Sequence, residues 1–456
     1  MPEPSFELSP AAIPPGLFRE PPGLDAATRA AGRSGTRPKP WAASLGAARV
    51  GAARVGAALL GAARVGAAFL GAARVGAARV GAAFLGAVRV GAAFLGAALL
   101  AASCAAAPSF SGLSARSYAE VDSFGLRLDL MRDRSAAWGS WEDLGSGDFG
   151  LAEGRVDGAG DLSLRLYSGG AAAPPATIEG ALSDSGRRIT GMYAATRGGS
   201  PRRLVLARRS GAGLSSGLRL ARAESGSAGT SHDLGHPPLF RALGLEPERP
   251  ERLRDWYRAT FLAGEPLERE LELKRDAFVA SYRSAVAQVH GQSEGRSPAR
   301  WSYESRQFVV FRSASLLSIG TRVSSYVGGI HGTVETRFTA IDTAELRVLG
   351  PDDFLEGDWQ AGLQPLLTAK LRAELGLASG ASLVASGFDG ESVRPGPAMA
   401  VAASGIAFYY APGSIAARDA GEYWLFLDWE SLGPFLRPGV LERYGLSGGS
   451  GEGGRR

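Results

Sequence analysis

Eleven consecutive five-residue units fill Gly46 to Leu100: five Gly-Ala-Ala-Arg-Val, one Gly-Ala-Val-Arg-Val, three Gly-Ala-Ala-Phe-Leu and two Gly-Ala-Ala-Leu-Leu. A period of five suits neither regular element. On a helix each unit turns by about 500°, so the large residues drift round the axis instead of forming a stripe. On a strand an odd period changes face at every unit. Solenoid units run to about 20–50 residues, long enough to make a supersecondary element. Arg49, Arg54, Arg64, Arg74, Arg79 and Arg89 also forbid one continuous membrane span, since each costs about 2.5–3.5 kcal/mol at mid-bilayer. The repeats read as translated tandem DNA ahead of the true start. Residues 1–45, rich in Pro, Ala and Gly without periodicity, read as disordered. A folded core must therefore come from beyond residue 103.

The end of the repeat behaves differently. Val90 to Ser103 carries no charge, a length that fits the apolar core of a signal peptide (about 7–15 residues) and falls short of the 18 or more that a span needs. Val88-Arg89 would supply an alternative start and a positive n-region. The single cysteine, Cys104, follows Leu99-Leu100-Ala101-Ala102-Ser103 and precedes Ala105-Ala106-Ala107-Pro108. This arrangement resembles the lipobox of bacterial lipoproteins, in which small residues admit a signal peptidase and the thiol takes a diacylglycerol. Free cysteine also packs as a small buried hydrophobe. The lipobox resemblance implies anchoring to the membrane through an N-terminal lipid, on the extracytoplasmic side of the cell envelope. One cysteine allows no disulfide within the chain.

Charge follows the same division. The formal net charge is +5 overall, but +7 falls on residues 1–103 and −2 on Cys104 onward. The basic balance belongs to the leader, so it points to no nucleic-acid partner for the mature protein.

Between 118 and 210 the period is two. Leu126, Leu128 and Leu130 alternate with Arg127, Asp129 and Met131, and Leu162, Leu164 and Leu166 with Ser163, Arg165 and Tyr167. Ile178–Leu182, a turn at Asp184-Ser185-Gly186 and Arg188–Tyr193 read as a hairpin, and Arg203–Ala207 as a further strand. This predicts an antiparallel sheet with one wet face, as a small β-sandwich or partly closed barrel. Residues 211–237 are Gly/Ser-rich and read as a linker. His232, Asp233 and His236 lie within it, but Gly235-His236-Pro237-Pro238 is not helical and no metal site is assigned there.

From 238 to 446 helix and strand mix. Leu267, Leu271, Phe278, Tyr282, Ala285 and Val289 share a helical face after Pro266. Strands follow from Trp301 to Val327, and then Tyr326-Val327-Gly328-Gly329-Ile330-His331-Gly332. Next come Phe338–Asp342, a turn, Leu346–Val348 and Asp352-Asp353-Phe354. A helix with Leu363, Leu366, Leu367 and Leu371 inward ends before Gly376. Gly405–Tyr410 and Gly421–Leu427 close the set.

In order and spacing these motifs resemble the extracytoplasmic module of the RsiV-type lysozyme-sensing anti-sigma factors, which also occurs in some envelope polysaccharide deacetylases. Ile330 stands where that family has Ala, and Asp353 stands directly before Phe354. The resemblance implies an α+β domain outside the cytoplasm that binds a protein, lysozyme-like in one branch, or a glycan. The ligand-binding residues it points to are Tyr326, Gly328, Gly329, His331 and Gly332.

His331 has two readings: a ligand-contacting imidazole, or a ring that caps neighbouring strands through hydrogen bonds. Asp352 and Asp353 read as turn and capping residues, and the aromatics from Phe408 to Trp424 as core. No Ser-x-Lys or His-Glu-x-x-His pattern is present. No catalytic residue, metal or cofactor is therefore assigned; the alternative is an envelope hydrolase acting on peptidoglycan or polysaccharide around His331.

The expected layout is multidomain. A leader and signal peptide at 1–103 would be absent from the mature protein. A lipid-anchored tether occupies 104–117, a small antiparallel β-domain 118–210, a linker 211–237, an α+β module 238–446, and a disordered tail 447–456. The low apolar content of the linker predicts that 238–446 folds alone.

Overall fold

The computed structural model describes residues 113–446 apart from 122–124, 169–175, 184, 196–199, 210–216, 227–237, 291–299 and 329–330. The pentads, the signal-peptide segment, Cys104, His232, Asp233, His236, Gly329, Ile330 and the tail lie outside the described residues.

Eight strands form the first part: β1 (Ser114–Glu120), β2 (Leu126–Asp133), β3 (Ala136–Asp143), β4 (Asp148–Val156), β5 (Asp161–Ser168), β6 (Ala176–Ser183), β7 (Arg188–Ala194) and β8 (Arg202–Arg208). Each pairs antiparallel with the next, and β1 pairs with β8 at Tyr118↔Arg208, which closes a barrel. The period-two residues fill its lumen. Leu126, Leu128, Leu164, Leu166, Ile178, Ile189, Leu204 and Leu206 are fully buried there with Trp141. Eight strands enclose an interior just wide enough for side chains. The predicted hairpin is β6–β7, with positive φ at Ser185 and Gly186. Gly180 faces Gly191 across it, and a Cβ on Gly180 would lie 2.2 Å from the Thr190 carbonyl oxygen. Only glycine permits backbones to approach this closely, and such pairs bend strands into barrels. The tether boundary at 117 is corrected, because β1 begins at Ser114.

The second part is a six-stranded mixed sheet. Its strands are β9 (Leu218–Ser225), β10 (Leu239–Pro247), β11 (Ser302–Arg312), β12 (Leu316–Tyr326), β13 (Thr333–Asp342) and β14 (Arg347–Leu349), in the spatial order β14-β13-β12-β11-β10-β9. β10 and β11 are parallel. The helices α1 (Glu251–Phe261) and α2 (Leu267–His290) make the crossover that a parallel pair requires. α2 begins directly after Pro266, as predicted, and buries Leu267, Leu271, Phe278 and Tyr282.

β9 falls inside the stretch expected to be a linker. Ala221 and Ala223 on it are buried, and it pairs antiparallel with β10 over its whole length. The apolar residues Leu218, Leu220, Ala221 and Ala223 keep no single phase along the strand, and the surrounding Gly and Ser complete the look of a linker.

The chain continues through α3 (Trp359–Glu374), capped by Asp358, whose side chain accepts from Ala361 N, and burying Leu363, Leu367 and Leu371. A three-stranded sheet follows: β15 (Ala398–Val401), β16 (Gly405–Tyr410) and β17 (Tyr423–Asp428). The helices α4 (Trp429–Leu432) and α5 (Val440–Tyr444) complete the chain. Phe408, Tyr409, Tyr410, Tyr423 and Trp424 are all buried core, as expected.

Barrel and mixed sheet share a core. Met131, Trp138, Phe149 and Leu151 project from the outside of β2–β4 into a cluster with Phe308, Val309, Trp424 and Phe426. Phe149 stacks on Phe426 with ring centroids 5.7 Å apart. Polar groups join across this seam. Trp138 Nε1 donates to the Gln307 carbonyl at 2.9 Å and Ser140 Oγ to the Val309 carbonyl at 2.9 Å. The buried Glu142 carboxylate accepts from Ser404 N at 2.7 Å and from its hydroxyl. The outer face of β2–β4 is therefore dry, contrary to the expected wet face.

Asp129, partly buried on β2 beside this seam, accepts from Ser117 Oγ. Burial pushes its carboxyl up to about 6, although Ser117, Arg312 and Arg209 act the other way. A carboxyl with a raised folded-state pKa favours the fold while protonated, and that advantage is lost as pH climbs from about 4 to about 6. Asp129→Asn should remove this slope. Relative to wild type it should gain up to about 3 kcal/mol at pH 7, the attraction to Arg312 being already contained in the raised value. Urea midpoints of both proteins between pH 4 and 7 measure the difference; parallel pH profiles would contradict it.

Candidate functional site

Gly328, His331 and Gly332 lie in the connection between β12 and β13. The last paired residues are Ser325 and Thr333, whose hydroxyls are 2.7 Å apart. Gly328 has φ +101°, a conformation that side chains rarely adopt. His331, Gly332 and Thr333 are exposed, while Tyr326 is partly buried. The tip is tied to the rest of the module by Arg418, from the β16–β17 connection, whose Nη2 donates to the Gly332 carbonyl at 3.0 Å. Of the expected ligand residues, Gly328, His331 and Gly332 thus share one loop and Tyr326 ends the strand that leads into it, with Gly329 outside the described residues. Among the described residues no side-chain hydrogen bond fixes the imidazole, which favours the exposed reading of His331 over the capping one.

Deeper in the hairpin, on the face that carries Arg306 and Phe308, lies a polar cluster. Arg322 Nη1 donates to both Glu422 oxygens at 2.7 and 2.9 Å, and Tyr409 Oη to Glu422 Oε2 at 3.0 Å. Thr336 N donates to Tyr409 Oη at 3.3 Å. Burial opposes the charge on Arg322, but the Glu422 carboxylate outweighs it and holds the guanidinium above its ordinary value. Burial, reinforced by Glu422, pushes the Tyr409 hydroxyl up, so it remains a donor. These groups satisfy one another and stiffen the base of the tip. Nothing in the motif pointed to them: Arg322 and Glu422 are 100 residues apart.

The structure does not bring His331 to Asp352 or Asp353. β13 runs from Thr333 beside His331 to Asp342, where Arg347 pairs with it. The ten residues of this strand span about 30 Å. Arg347 binds Asp353 at 2.6 Å, so the two aspartates lie at the far end. Asp353 Oδ2 also accepts from Gly350 N at 2.8 Å, and Asp352 Oδ1 from Trp359 Nε1 at 2.8 Å. Both are turn residues, as expected, while the cap of α3 is Asp358. A hydrolase that paired His331 with either aspartate is incompatible with this separation. Among the described residues no group of three or more His, Cys, Asp or Glu could hold a metal ion, and no helix is long and apolar enough to cross a membrane.

No protein-family model matches the chain, and no curated protein matches it. Two solved structures that align with part of it are members of the DUF3298 family. The protein from Bacteroides fragilis is 20% identical, covers 51% of this chain and 98% of its own, and has a TM-score of 0.45. The protein from Pseudomonas aeruginosa is 18% identical, covers 49% of this chain and 96% of its own, and has a TM-score of 0.36.

Proposed function

We propose that this chain is a lipid-anchored cell-envelope protein whose mixed-sheet module binds a protein or glycan ligand, without catalysis, through the hairpin tip bearing His331. The observation that carries the reading is the exposure of His331 on a loop whose neighbours are glycines and whose base is fixed by Arg418 and the Ser325–Thr333 contact. Binding residues concentrate on loops held by a rigid scaffold. The RsiV-type motif order and the lipobox around Cys104 supply the class of ligand and the anchor in this reading.

His331→Ala tests it. An exposed side chain should change stability by less than about 0.5 kcal/mol, while capture of a ligand from envelope extract is lost. A stability loss of about 1–3 kcal/mol, the mark of an imidazole with a hydrogen-bonded partner, or undiminished capture, would contradict the assignment. In the same host, labelled palmitate should enter the wild type and not Cys104→Ser.

A further inference from the structure

Because neighbouring strands of the barrel run antiparallel, the start of β1, the β2–β3, β4–β5 and β6–β7 turns and the end of β8 share one rim. Arginine crowds it. Arg116 stands near the start of β1, Arg155 near the end of β4, Arg187 and Arg188 where β7 begins, and Arg208 and Arg209 where β8 ends. Arg155, Arg187, Arg188 and Arg208 are exposed, and none of the four makes an ion pair among the described residues. Arg116 donates to the Ser185 carbonyl at 2.7 Å, a neutral partner.

The acids of the rim fall short of these charges. Asp157, Asp161 and Asp184 stand against the six arginines, which leaves an excess of three. One Asp157 oxygen is already taken by Ala159 N and Asp161 N, both at 2.9 Å. The other charges nearby close among themselves: Asp133 with Arg222 and Arg241, Arg134 with Glu224, and Asp129 with Arg312. The buried Arg132 adds to the excess. Ser185 to Ala223 holds nine arginines and no acid, in a chain whose part from Cys104 onward sums to −2. By sequence, the opposite rim sets Glu120, Asp122, Asp143 and Asp148 against Arg197, Arg202 and Arg203 and has no such excess. Val121, Leu144 and Tyr167, which are exposed, belong to that opposite rim; among the described residues no large exposed apolar side chain lies on the arginine rim.

We infer that this rim rests on an anionic phospholipid surface, with its arginines among the headgroup phosphates. The inference deepens the lipid-anchor reading and rests on it. Cys104 and Ser114 are ten positions apart, a reach of at most about 36 Å, and the strand they lead into starts on the arginine rim. A guanidinium matches phosphate oxygens with paired N–H groups. Each arginine close to an anionic bilayer is worth about a fivefold gain in partitioning. With no apolar side chain to insert, the contact is electrostatic and weakens as salt rises. It turns one end of the barrel, rather than its side, toward the bilayer.

Co-sedimentation of full-chain Cys104→Ser with vesicles of phosphatidylglycerol and phosphatidylcholine tests the rim without an acyl chain. Palmitate labelling of the wild type tests the anchor alone, so the two failures are distinguishable. Arg187→Glu with Arg188→Glu should weaken partitioning by at least about twentyfold at an unchanged melting temperature. Arg269→Glu with Arg283→Glu on α2, an equal change of charge, should weaken it far less. A fluorophore on Ala159→Cys, in the β4–β5 turn of the rim, should transfer energy to headgroup-labelled lipid more strongly than one on Ser146→Cys, at the opposite rim. That difference should vanish in the Arg187→Glu, Arg188→Glu background. Equal losses in the two double variants, or equal transfer from the two labels, would overturn the inference. Displacement from vesicles by millimolar inorganic phosphate at constant ionic strength would also overturn it, because it marks a site for a single anion.

Discussion

Residues 238–446 expressed alone should show no cooperative unfolding transition and should bind hydrophobic dyes, whereas 113–446 should unfold in one step. The fragment lacks β9, leaving β10 as an unpaired edge where Ala221 and Ala223 had been buried. It also lacks Met131, Trp138, Phe149 and Leu151, which cover Phe308, Val309, Trp424 and Phe426 in the intact protein. Burial of one such side chain is worth roughly 1.5–3 kcal/mol. Four of them rival the net stability of a whole domain, about 5–15 kcal/mol. Near-ultraviolet circular dichroism and a urea titration of the two fragments measure this. Matching midpoints would mean that the barrel is an independent spacer.

Asp133→Ala should destabilise the protein by about 3 kcal/mol or more. Asp133 at the end of β2 is fully buried, and its oxygens accept from Arg222 Nη1 at 2.6 Å on β9 and Arg241 Nη2 at 3.2 Å on β10. Removing one partner of a buried pair costs about 3–5 kcal/mol, because the remaining charge loses its compensation. The arginines are partly exposed and Arg241 lies near Glu224 and Glu304, which places the effect at the low end. Asp133→Asn should lose less, since its carbonyl oxygen still accepts. A lower urea midpoint with an unchanged slope is the expected signature. A change below about 0.5 kcal/mol would mean that solvent already serves this pair.

What could be read ahead of the structure follows burial. β2, β5 and the β6–β7 hairpin have one face in the barrel lumen, so their alternation of apolar and polar residues was plain. β3 was not legible, because its outward residues Trp138, Ser140 and Glu142 are buried beneath the mixed sheet and both faces lose their contrast. β9 was hidden by composition. Its apolar residues shift phase between Leu220 and Ala221, so a test for period two finds no clean alternation there. At the hairpin, Gly328 and His331 announce a loop, because glycine at positive φ leaves a local mark. The Arg418 contact and the Arg322–Glu422 pair join residues 86 and 100 positions apart and leave none.

The way β1 enters the barrel has a mechanical consequence. It is hydrogen-bonded on both flanks, to β2 along Ser114–Ala119 and to β8 along Tyr118–Glu120. Tension drawn through the chain ahead of residue 113 would run along the axis of β1 and load these bonds in shear, all together. A strand held on one flank and pulled across its length would instead unzip one bond at a time. Wherever the chain is tethered on that side, the load enters the fold through its least peelable stave.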